Sequence, residues 1–73
     1  MKVEHLKDLG CMIRQRRKQA KLTIDMLAAM AMCSPRLLGE VERGKRNVSF
    51  GVVLAICALL GIELHAQGRE ENR

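Results

Sequence analysis

Within residues 23–44, TIDMLAAMAMCSPRLLGEVERG, two helix starts and two helix stops stand so close together that the chain has room only for two short helices and a tight turn. Thr23 is an N-cap residue, whose side-chain oxygen accepts from a first-turn backbone N–H that otherwise has no partner. Ile24 to Met30 follow as helix formers, and Ala31, Met32 and Cys33 make the turn. Ser34 caps the second helix, with Pro35 at the first helical position, where the missing N–H costs nothing; Gly44 stops it. Leu27, Ala28 and Ala31 make one inward face and Leu38 and Val41 the next, with Cys33 as the plug between them. Small Ala28 and Ala31 let the helices cross closely at a steep angle, which turns Ser34, Pro35, Arg36, Gly39 and Glu40 outward.

The rest of the chain adds helices around this pair. Apolar residues make up 48% of the sequence and aromatic ones only 1%, so the core is aliphatic and suits helices better than sheets. Leu6, Leu9, Ile13 and Ala20 recur at helical spacing and predict a first helix over residues 5–20. Ser49 predicts the cap of a fourth helix over residues 50–60, ended by Gly61. That helix lacks a polar stripe, since Gly51, Ala55 and Ala58 stand where water should be met; a second copy of the chain is the simplest cover. Residues 62–67 alternate apolar and polar, the period of a half-buried strand, and Ile62, Leu64 and Ala66 form its apolar side. A lone strand finds no partner inside a helical domain, and residues 68–73 read as a charged tail. With 73 residues there is one small domain, which self-association would help to stabilise.

The formal charge is +5, from 13 basic and 8 acidic residues, and its distribution narrows the function. Arg14, Arg16, Arg17, Lys18 and Lys21 lie together without an acid, and Arg43, Lys45 and Arg46 form a second group. Two basic clusters flanking such a helix pair point to phosphate binding. Cys11, Cys33 and Cys57 are widely spaced, odd in number and without CxxC, which argues against a disulfide framework or a zinc site and predicts small buried hydrophobes in a reducing cytoplasm. The charged start has no apolar signal core, and the apolar run over residues 50–62 is too short to cross a bilayer. No Ser/His/Asp set, phosphate-cradling Gly loop or metal-ligand spacing is present, so the expectation is a non-enzyme without a cofactor.

From Leu9 to Leu64 the chain resembles the helix-turn-helix domain of phage-repressor type, and most closely its HipB-like antitoxin branch, through RQRRK, LT, LA, SPRLLGEVERGKRNVS and LLGIEL in that order. Two positions depart from the pattern: Ile24 stands where the family usually has Gln after the capping Thr, and Met32 where it usually has Gly in the turn. Ile24 cannot donate to a phosphate or base, and Met32 has to accept a positive φ. The resemblance implies an all-α, lambda-repressor-like domain of four to five helices over residues 1–61, followed by a short C-terminal dimerisation strand and tail over residues 62–73. It implies an ion pair between Arg17 and Glu42, and a strand that pairs with its copy in a second subunit. It further implies a homodimeric repressor bound to operator DNA, an antitoxin that autoregulates its promoter and binds a HipA-like kinase toxin.

In a helix-turn-helix the N-terminal part of the second helix meets base edges, which selects Ser34, Pro35, Arg36, Gly39 and Glu40. Arg36 can bond guanine at two points, Pro35 can pack on a thymine methyl, and Glu40 can accept from cytosine or orient Arg36. Phosphate contacts are expected from Arg17, Thr23, Arg43, Lys45, Arg46 and Ser49, near the helix ends. The alternatives are a stand-alone or phage-type repressor without a toxin, and a protein-interaction module that has lost DNA binding.

Overall fold

The four helices among the described residues all stop in the same way, and the stops shape the fold. The computed structural model describes residues 4–65 and 68, and among them lie α1 (Leu6–Gln19), α2 (Ile24–Met30), α3 (Pro35–Glu42) and α4 (Phe50–Leu59). After each helix one residue takes a positive φ, and two backbone N–H groups fold back on the last turn. At α1 the residue is Lys21 (φ 60), with Leu22 N–H donating to Arg17 O at 3.0 Å; at α2 it is Met32 (φ 57), with Cys33 N–H donating to Ala28 O at 2.9 Å. Glycines serve at the other two, Gly44 (φ 79) with Lys45 N–H on Glu40 O at 3.0 Å and Gly61 (φ 70) with Ile62 N–H on Cys57 O at 2.8 Å. Met32 thus takes the left-handed conformation that its place in the turn demands, although its own side chain is 92% exposed and gains little packing there.

The starts follow side-chain chemistry. Thr23 Oγ1 accepts from Met26 N–H at 3.1 Å, and Ser34 Oγ from Leu37 N–H at 3.0 Å, with Pro35 opening α3. Asp8 accepts from the backbone N–H groups of Glu4 and His5 at 3.1 Å each, which holds its carboxyl below the usual carboxylate range. Ser49 occupies the N-cap position of α4, but its side chain makes no capping bond there.

Both α1 and α2 pack against α3. A Cβ at Gly10 would stand 2.6 Å from the Val41 carbonyl oxygen, so only glycine allows α1 this close to the end of α3. Leu9, Ile13, Leu27, Ala28, Leu38, Val41, Ile56, Cys57 and Ile62 form the core, all aliphatic or small. Arg17 joins them as a buried charge.

The sequence expectations need correction at several points. Ala20 and Cys11 are exposed, because Ala20 is already the C-cap of α1 and Cys11 faces away from α3; of the three thiols only Cys57 is buried. Ala31 and Cys33 are only partly buried at the rim of the core. Gly39 is buried rather than outward, beneath the side chain of Arg43. No strand occurs among the described residues, and Ile62 is 8% exposed in the core of its own chain, since the turn at Gly61 folds it back under α4. Leu64 is 40% exposed, and Ala66 lies outside the described residues.

Candidate nucleic-acid interface

The outward end of α3 gathers most of the residues that the sequence marks for DNA. Ser34, Pro35 and Arg36 are exposed on its first turn, and the Arg36 side chain, 90% exposed, extends into open space. One turn on, Glu40 stands between two cations, with Oε2 accepting from Lys45 Nζ at 3.1 Å and lying 3.7 Å from Arg36 Nε. The bond from Lys45, followed by the nearby charges of Lys45, Arg36 and Arg43, holds the Glu40 carboxyl below its usual range. Arg43 lies over Gly39, where an added Cβ would meet its Nη1 at 3.3 Å. The surface at this end of α3 is therefore made of Ser34, Pro35, Arg36 and Glu40, floored by Gly39 and edged by Arg43 and Lys45.

Other candidates fall around this surface in different roles. Thr23, Arg46 and Ser49 are exposed at helix ends or in the loop before α4, where they are open to a phosphate. Arg17 is placed elsewhere, and its assignment to phosphate is corrected. Its Nε donates to Glu42 Oε2 at 2.6 Å, Nη2 to Glu42 Oε1 at 3.2 Å and Nη1 to Leu22 O at 3.0 Å, with both side chains more than nine-tenths buried. A phosphate could reach that guanidinium only by breaking these bonds, so Arg17 ties α1 to the end of α3 instead. Arg14, Lys18 and Lys21 remain exposed, whereas Arg16 donates to Gly61 O at 3.2 Å and braces the turn after α4. Ile24 is half-buried and packs on the core, beside a depression lined by Arg14, Arg17, Gly39, Glu42 and Arg43. The residue that replaces the usual Gln has thus become part of the packing.

Sequence reasoning missed two contacts. The Glu40–Lys45 pair depends on Gly44 turning the chain back past α3, and Arg16 on Gly61 depends on how α4 docks; neither follows a helical spacing. Burial also raises the Cys33 and Cys57 thiols, which lowers their thiolate content. Among the described residues no group of three or more His, Cys, Asp or Glu is placed to hold a metal ion, and no helix is long and apolar enough to cross a membrane.

The helix-turn-helix family model matches residues 13–66, which include α2, α3, α4 and the second half of α1. This chain belongs to the helix-turn-helix family. It is also 32% identical over 66 residues to the uncharacterized HTH-type transcriptional regulator y4mF of Sinorhizobium fredii (strain NBRC 101917 / NGR234), covering 90% of this chain and 87% of that relative. Family membership accounts for the order of the helices and for α3 as the exposed second helix of the motif. Both matches are to helix-turn-helix regulators in general and leave the HipB-like branch as a narrower reading.

Proposed function

We propose that this helix-turn-helix chain is a sequence-specific DNA-binding transcriptional repressor. The observation that carries the reading is the exposed first turn of α3, Ser34, Pro35 and Arg36, with Arg43, Lys45 and Arg46 beside it. In this mode α3 lies in the major groove, Arg36 bonds a guanine edge, and Glu40 stands one turn deeper. Thr23, Arg43, Lys45, Arg46 and Ser49 hold phosphates and set the register without reading sequence. The likeness to y4mF, which is named as an HTH-type transcriptional regulator, supports the same reading.

The repressor acts as a homodimer, joined chiefly through α4. The outward side of that helix is Phe50, Gly51, Leu54, Ala55, Ala58 and Leu59, all exposed and without one polar side chain, and Leu64 follows it. An apolar surface of this kind is normally covered. Two recognition helices about one DNA turn apart, roughly 34 Å, then read a palindromic operator. The antitoxin role, with a HipA-like kinase toxin as second partner, rests on the resemblance alone, and co-purification with the product of an adjacent kinase gene tests it.

The DNA reading is tested by titrating the chain against duplex DNA in a gel shift at different salt concentrations. If a dimer neutralises about 6–10 phosphates, affinity falls by a factor of about 10³–10⁵ between roughly 50 and 200 mM salt. A flat response removes phosphate binding, and the protein-interaction module becomes the better account.

A further inference from the structure

Glu40 is an acid in the middle of a surface otherwise made for an anion. Its carboxylate accepts from Lys45 Nζ at 3.1 Å and lies 3.7 Å from Arg36 Nε. The arrangement is held from two sides. Lys45 N–H also donates to the Glu40 carbonyl at 3.0 Å, because Gly44 turns the backbone there, so the residues are fixed against each other by main chain as well as side chain. The Glu40 side chain is only 18% exposed, while Arg36 at 90% and Lys45 at 54% reach outward past it. An ordinary solvated pair on a helix surface leaves its acid as open as its base; here the acid is sunk among cations and kept ionised by them.

Such an acid acts on both kinds of DNA contact. It repels phosphate oxygens and the acceptor atoms of guanine, and it occupies the Lys45 ammonium that would otherwise bind the backbone anywhere. The amino group of cytosine is a base-edge donor that can replace the bond Lys45 gives up. We infer that Glu40 is a specificity-determining residue that works by rejection: it holds Lys45 in an internal pair and sets a negative charge beside Arg36, so unselected duplex is bound weakly and a site offering cytosine N4 to its carboxylate is bound well. This rests on the DNA-binding reading above and adds to it a repulsive element, which discrimination between similar sites commonly requires.

The experiment uses the full chain and its Glu40→Gln variant, with two duplexes, one enriched from a random pool by the unsubstituted protein and one of random sequence. Glu40→Gln keeps the shape and removes the charge, so it frees the Lys45 ammonium. It is expected to bind random duplex about three- to tenfold more tightly, with a log–log salt slope steeper by about one for each protomer bound, and to gain nothing on the enriched duplex. Glu40→Ala, which removes the same charge with a different shape, must move random binding in the same direction. Unchanged or weaker random binding by both variants, at an unchanged slope, overturns the inference and leaves Glu40 as a surface ion pair. The two readings fail separately: if the unsubstituted chain binds duplex with the expected salt dependence and the variants behave like it, only the role of Glu40 is lost. If the unsubstituted chain binds no duplex at low salt, the DNA-binding reading fails and takes this one with it.

Discussion

Arg17 carries its charge into the core, and the fold answers with a partner for each side of the guanidinium, Glu42 on one and the Leu22 carbonyl on the other. Removing either member of the ion pair strands the other in a poorly solvated site. Arg17→Ala or Glu42→Ala is therefore expected to destabilise the domain by about 3–5 kcal/mol in urea unfolding, and the double variant to cost much less than the sum. Additive losses in that cycle contradict the pair. This contact was legible beforehand, because the resemblance supplies Glu42 as the acid for a basic residue near the inner stripe of α1. The positive φ of Met32 was legible for the same reason. Lys21 was not: lysine gives no signal for a left-handed residue, and its φ of 60° arises because Leu22 must turn back to pack under the core. Gly39 was misplaced because spacing alone puts it on the same side of α3 as Arg36, while burial was decided by the Arg43 side chain folding over it.

Among the elements, α4 departs furthest from an ordinary surface helix. Its inner residues Ile56 and Cys57 are buried, and its outer ones, Phe50, Leu54 and Leu59, are 67%, 43% and 42% exposed. The missing polar stripe could be read from sequence, and it survives in the structure as a bare face. The following segment could not. Its alternation predicts a strand, yet period two over so few residues does not separate a strand from a chain that turns once and buries a single side chain, as Ile62 does. Cutting the chain before Ile62 would therefore damage the core, and a charge on α4 is the cleaner probe. If the proposed dimer forms through α4, Leu54→Glu is expected to leave a folded monomer in analytical ultracentrifugation, with the helical circular dichroism kept. A variant that remains dimeric moves the contact away from α4.

At the scale of the whole molecule, two surfaces divide the proposed work: the apolar side of α4, which we propose a second copy covers, and the cationic end of α3, which we propose meets DNA. The helices were legible because their caps, Thr23 and Ser34 with Pro35, and their stops, Gly44 and Gly61, are local chemistry written in single residues. The arrangement of charge at the α3 end was only half legible, since the basic clusters are visible in the chain while the sinking of Glu40 between Lys45 and Arg36 is a product of the folded turn. The central claim is that the exposed first turn of α3 reads bases. The most direct measurement compares Arg36→Ala with Arg46→Ala, each against the enriched and the random duplex at one salt concentration. Arg36→Ala is expected to lose about 1–3 kcal/mol on the enriched site and little on random DNA, while Arg46→Ala weakens both alike. Equal losses from Arg36→Ala on the two duplexes would contradict base reading by α3 and leave Arg36 as one more phosphate contact.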